Sequence, residues 1–288
     1  MKMNINYIKK MKKIGFIDYY LDEWHANNYP EMIKKASNGE ITVSYCYAEI
    51  DSPHGGLTSK QWSEKYGITL CESEDELIEK SDVLCVLAPD NPETHERLCA
   101  KALRSKKITY VDKTFAPDRE SAKRILAIAE ESGTPVITSS ALRYADEYQN
   151  IDRNGLVSAV SMSGGVPEIY MIHQIEPLVM LLGTDVKRIC NFGSEKFPVF
   201  ALEYANGERT TMVCSTGDHP FRMTLNYANG AHRVIDVKSD FFGNFIKNLI
   251  EFYKTGDILV PHDQTLAVMA IREVCISALK SPDTWFEM

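Results

Sequence analysis

Long apolar runs are missing from this sequence. None of its 288 residues lies in a stretch approaching the roughly 20 consecutive apolar residues of a membrane-spanning helix, so no membrane partner is expected. Positive charge is scarce as well. With 32 Lys and Arg against 40 Asp and Glu, the formal net charge is -8, and a nucleic-acid partner, whose phosphates need a basic face, is not expected. The seven cysteines never fall in C-x-x-C spacing, which leaves neither a disulfide framework nor a structural zinc site in view. Cys85, inside VLCVLA, reads as a small buried apolar residue. The one basic cluster is Lys2, Lys9, Lys10, Lys12 and Lys13, and no apolar run of signal-peptide length follows it, so a cytoplasmic location is expected. Because MKKIGFI would itself be a natural beginning, Met11 is expected to be the start and the first ten residues a solvated extension.

What is present is the composition of a globular protein, with 44% hydrophobic and 25% charged residues in a chain long enough for two cores. The first half alternates strands and helices. IGFI, ITVSYCY, DVLCVLA, KITYVD and PVITS are short and rich in β-branched residues, as buried parallel strands are. Between them lie helix signals: Ser73 and Glu76 at capping-box spacing, Pro92 suited to a first turn, Asp118 opening RESAKRILAIAEES and Gly133 closing it. This order predicts an α/β, Rossmann-like, doubly wound parallel sheet over residues 1–141. Over 142–288 the pattern predicts an α+β domain with a mostly antiparallel sheet. The repeated YANG at Tyr204 to Gly207 and Tyr227 to Gly230 predicts tight hairpins with positive φ at both Asn and Gly. Two amphipathic helical patterns close the chain and are expected to cover that sheet or pack back on the first domain. An exposed sheet face there makes a homo-oligomer the expectation.

Several strings resemble the Gfo/Idh/MocA family of sugar and polyol oxidoreductases, over nearly the whole chain. YGITLCESEDELIEKSDVLCVLAPDNPETHERLCAKAL resembles the family's segment leading to a Pro-x-x-x-x-x-His turn, here Pro89 and His95. KKITYVDKTFA resembles its strand ending in Glu-Lys-Pro, here Asp112, Lys113 and Thr114. ALRYADEYQNIDRNGLVSAVSM resembles its crossover, and HQIEPLVMLLG its His-x-x-Asp helix, here His173 and Glu176, with Pro177 expected in the first turn. The resemblance implies an enzyme, an oxidoreductase with NAD or NADP across the carboxyl ends of the first sheet and a small-molecule substrate between the domains. It implies Lys113 and His173 as catalytic residues, since hydride loss from an alcohol needs a group to take the hydroxyl proton. Asp18, Tyr19, Tyr20, Ala88, Pro89, Asn91, His95 and Asp112 are the expected cofactor contacts, and Arg143, Tyr144 and Glu176 the expected substrate contacts.

The stretch KIGFIDYYLDEWH departs from this pattern. At the three positions where G-x-G-x-x-G would cradle a pyrophosphate it has Asp18, Tyr20 and Glu23, which predicts a wider turn and weak dinucleotide binding. The alternative reading is a non-redox relative, a metal-dependent or cofactor-free sugar lyase, isomerase or ligand sensor. No metal site is expected, because Asp22 and His25, three apart on one helix face, with His54 as a third donor, read better as a helix cap and ordinary polar residues.

Overall fold

A computed structural model describes residues 11–288, and the expectations for the first ten residues lie outside it. The first domain runs β1 (Lys12–Asp18), α1 (Trp24–Ala36), β2 (Ile41–Ala48), α2 (Ser59–Tyr66), β3 (Thr69–Leu70), α3 (Glu74–Lys80), β4 (Val83–Val86), α4 (His95–Arg104), β5 (Thr109–Val111), α5 (Arg119–Ser132) and β6 (Val136–Ile137). Its six strands are parallel in the order β3-β2-β1-β4-β5-β6, so the strand order reverses between β1 and β4. A ligand crevice forms at such a switch point. The helix ends follow local chemistry: Ser73 accepts the Glu76 amide at 3.2 Å, Asp118 accepts the Ser121 amide at 2.7 Å, and Gly133 ends α5 at φ 68°.

The second domain comprises β7 (Leu156–Gly164), α6 (Pro167–Tyr170), α7 (Ile172–Leu182), β8 (Val186–Asn191), β9 (Val199–Tyr204), β10 (Arg209–Ser215), β11 (Arg222–Tyr227), β12 (His232–Asp236), α8 (Phe241–Thr255), α9 (His262–Leu279) and β13 (Trp285–Glu287). Its seven strands lie in the order β12-β11-β7-β10-β9-β8-β13, antiparallel except for β7 beside β10. Helix α8 leaves this sheet and packs on the first one. Its buried Phe245, Ile246, Leu249 and Phe252 join Ile14, Phe16 and Cys85 in a single apolar cluster, each large side chain contributing roughly 1.5–3 kcal/mol. The Tyr253 hydroxyl donates to the Leu84 carbonyl at 3.1 Å, and Lys12 Nζ to the Tyr253 carbonyl at 2.6 Å. Among the described residues no helix is long and apolar enough to cross a membrane.

Two local expectations are corrected. Both YANG segments are hairpin turns, but only Gly207 (φ 84°) and Gly230 (φ 81°) have positive φ. The Tyr204 amide bonds Glu208 and the Gly207 amide bonds Tyr204, so three residues form the loop and the glycine alone takes the left-handed position. Pro177 lies inside α7 rather than in its first turn; α7 begins at Ile172, and the missing amide at Pro177 leaves the His173 carbonyl without its helical donor.

Candidate active site

Strand β5 delivers Asp112 and Lys113 to the switch point. Asp112 is fully buried; its amide bonds the Val86 carbonyl at 2.8 Å, and its Oδ1 accepts the Tyr110 hydroxyl at 2.7 Å. Lys113 follows, its Nζ 3.4 Å from Asp90 Oδ1. From the second domain α7 brings His173, whose Nδ1 lies 2.7 Å from Ser140 Oγ. Ser140 Oγ also accepts the Leu142 amide at 3.2 Å, so the hydroxyl ties the His173 ring to the start of the crossover, and the direction of its bond to Nδ1 follows the ring's tautomer. Burial, reinforced by the positive charge of Lys113, holds His173 down to about 3, so it is neutral at physiological pH. Lys113 and His173 line one cleft of about 390 Å³ whose aromatic walls are Trp24, Tyr170, Phe221, Phe241 and Phe242.

The loop after β1 is built on acids. Asp18 is fully buried, with Oδ1 accepting the Tyr19 amide at 2.7 Å and Oδ2 unpartnered. Burial, then Glu23 and Asp112 nearby, push its pKa well up. The cap of α1 is Glu23 and not Asp22: Glu23 accepts the His25 amide at 2.6 Å and also the Ala26 amide. Asp22 instead accepts the Leu57 amide at 2.7 Å and the Asn27 side chain at 3.1 Å, latching the loop that follows β2. His25 is buried at the cleft wall with Nδ1 3.0 Å from Asp112 Oδ2 and 3.4 Å from Glu23 Oε2. His54 is exposed, its ring against Tyr20 at 5.7 Å, away from this cluster. Among the described residues no group of three or more His, Cys, Asp or Glu is placed to hold a metal ion.

Other expected contacts lie elsewhere. His95 is a core residue, its Nδ1 3.0 Å from the Phe115 carbonyl and its Nε2 2.6 Å from the Leu87 carbonyl, and it does not reach the cleft. Ala88 is buried at φ 76°, where the chain turns so that the Asn91 amide bonds its carbonyl at 3.1 Å. Asn91, Tyr19 and Tyr20 do not line the cleft, whereas Pro89 does. Arg143 and Glu176 form a buried ion pair at 3.2 Å, with Gln264 as a further acceptor for the arginine, and neither lines the cleft. Tyr144 and Arg143 line a separate surface depression with Asp146 and Asn244. The expected substrate contacts Arg143, Tyr144 and Glu176 thus lie outside the Lys113–His173 cleft, Arg143 and Glu176 paired with each other. Trp24, Asp90, Ser139 and the Phe241–Phe242 pair line the cleft without having been singled out in the sequence; the docking of α8 on α1 brings Phe242 against Trp24.

Residues 53–140 match the GFO_IDH_MocA family model, described as an oxidoreductase family with an NAD-binding Rossmann fold. That segment of the nucleotide domain is therefore similar to the corresponding part of the Gfo/Idh/MocA family. No curated protein matches the sequence. Among solved structures it is similar to GenD2 from gentamicin A biosynthesis in complex with NAD (TM-score 0.79, 12% identity, 97% of each chain covered). It is also similar to myo-inositol 2-dehydrogenase from Lactobacillus plantarum (TM-score 0.77, 12% identity, 97% of this chain and 100% of that one). A third is aldose-aldose oxidoreductase from Caulobacter crescentus complexed with glycerol (TM-score 0.73, 13% identity, 96% and 99%). At these identities the likeness establishes the fold.

The residues present fit unevenly the dinucleotide that the matched NAD-binding segment implies. The chamber holding Lys113, His173, Pro89 and the aromatic walls suits a nicotinamide ring. The diphosphate end does not fit while Glu23 is in place: it occupies amides of α1 that an anion would need, and the unpartnered Asp18 Oδ2 lies in the same corner.

Proposed function

We propose that the protein is an NAD(P)-dependent oxidoreductase acting on a sugar, polyol or related small hydroxy compound. The observation that carries this reading is the meeting of Lys113 and His173, from two domains, in one aromatic-walled cleft. A bound nicotinamide supplies the hydride acceptor. The chain's own residues do the rest. The Lys113 ammonium can donate to a hydroxyl oxygen, and neutral His173 can hydrogen-bond a neighbouring hydroxyl through Nε2. The rings of Trp24, Tyr170 and Phe242 offer apolar faces to the carbon skeleton and keep water away from it.

The Glu23 cap supports a second reading, a relative that works without a dinucleotide. Titration with NADH and NADPH, followed by nicotinamide fluorescence in the intact protein and in Glu23→Ala, separates the two. Saturable binding, with NAD reduction on myo-inositol, D-glucose or glycerol, is expected. Absence of binding at millimolar cofactor in both proteins overturns the oxidoreductase reading in favour of non-redox chemistry.

A further inference from the structure

We infer that His25, held by Asp112, is the group that takes and returns the substrate hydroxyl proton in this cleft. The inference rests on the cleft being the active site as read above. Three facts carry it. His25 lines the cleft, beside Lys113 and across from His173. Its Nδ1 lies 3.0 Å from Asp112 Oδ2 and 3.4 Å from Glu23 Oε2, an ion-pair approach without hydrogen-bond geometry at Nδ1 or Asp112 Oδ2, while no described residue bonds its Nε2. Asp112 is itself fixed, by the Tyr110 hydroxyl at 2.7 Å and by the backbone of β4 through its own amide. An imidazole with one nitrogen within 3.0 Å of a fixed carboxylate and the other unbonded is placed to act as a general base whose imidazolium that carboxylate steadies.

Electrostatics separate this histidine from the other one in the cleft. Burial alone would lower the pKa of His25, but Asp112 and then Glu23 raise it above the usual histidine value, with Lys113 opposing. The charged and titratable groups that face it are Glu23 on the loop, Asp18 at the end of β1, Tyr29 one turn along α1, Asp112 and Lys113 after β5, and His173 from α7. His173, pushed down to about 3, is a poor proton acceptor, whereas the carboxylates beside His25 make it the stronger base of the two. With a nicotinamide bound to supply the hydride acceptor, the hydroxyl O–H bond would break and an Nε2–H bond would form on His25. Alcohol becomes carbonyl, and the imidazolium later releases the proton to solvent.

The test uses the intact chain. With ¹⁵N-labelled histidine and the His25→Gln variant for assignment, the His25 ring is expected to titrate with a midpoint above 6.5. The midpoint should fall in Asp112→Asn and, by less, in Tyr110→Phe. A His25 ring that does not titrate between pH 5 and 9, or that ignores Asp112→Asn, overturns the inference. In NAD reduction on myo-inositol the wild-type rate should rise with pH through that same midpoint, and His25→Gln should lose on the order of a hundredfold or more in kcat with little change in KM. A His25→Gln protein that keeps both its rate and its pH profile also overturns it. Should the wild type show no turnover, the redox reading fails, and the inference then stands or falls on the titration.

Discussion

Glu23 Oε2 accepts the backbone amide of His25 at 2.6 Å, so the acid at the last position of the lost glycine loop closes the helix end that a phosphate would otherwise occupy. A carboxylate about 4 Å from a phosphate charge costs on the order of 1 kcal/mol in water and about 4 kcal/mol at an effective dielectric of 20. Glu23→Ala is therefore expected to tighten NADH binding by about fivefold to a thousandfold. The same change removes a cap and should cost about 1 kcal/mol of stability, read as a lower urea midpoint at unchanged slope. Unchanged NADH affinity in the variant would refute the plug.

His173 should stay neutral down to about pH 4, because burial and the Lys113 charge hold it at about 3. NMR titration of its ring checks this. Removing the positive charge with Lys113→Met should raise the His173 midpoint, and a His173 ring that titrates near 6.5 in the wild type contradicts the network drawn for it.

The Arg143–Glu176 pair is buried on both sides. Burial pushes Glu176 up, opposed by Arg143. Arg143→Met is expected to destabilise by roughly 3–5 kcal/mol, and adding Glu176→Leu to recover much of that loss, since the uncompensated charge and not the missing contact carries the cost. Chemical denaturation of the two variants decides. If the single mutant is as stable as wild type, the arginine is not structural.

Glu74 provides a pH signature. Its Oε1 is buried without a partner, and burial raises its pKa to about 7 against the opposing charge of Lys101. A carboxyl whose folded pKa exceeds the unfolded one binds more protons when folded, so its contribution declines as pH rises from about 4.5 to about 7. Glu74→Gln should therefore raise Tm at pH 8, by about 2–4 °C for each kcal/mol regained, and leave it unchanged at pH 4. An equal shift at both pH values would assign the effect to packing instead.

Much of the fold was legible because its signals are local. The β-branched runs, the Ser73 and Asp118 caps and the αL stop at Gly133 each depend on a few neighbouring residues. Lys113 and His173 came from the resemblance of KKITYVDKTFA and HQIEPLVMLLG to family strings, and the fold brings both to one cleft. What was missed is set by distant partners. Asp22 is the better intrinsic cap, but the Leu57 amide, 35 residues away, takes its carboxylate, and the cap passes to Glu23. That exchange places His25 against Asp112. Similarly, Asn-Gly is compatible with a two-residue or a three-residue hairpin, and the pairing of Glu203 with Arg209 selects the latter.

The return of α8 to the first sheet has a consequence for how the chain can be divided. A fragment ending near residue 141 would keep all six parallel strands and yet lose the covering over Ile14, Phe16 and Cys85, together with the Phe241–Phe242 wall of the cleft. Such a fragment should expose a sticky apolar face and self-associate, and mixing it with the remaining half should restore solubility. The two halves are thus interlocked pieces of one cooperative unit, and the cleft is shaped by the same helix that makes them inseparable.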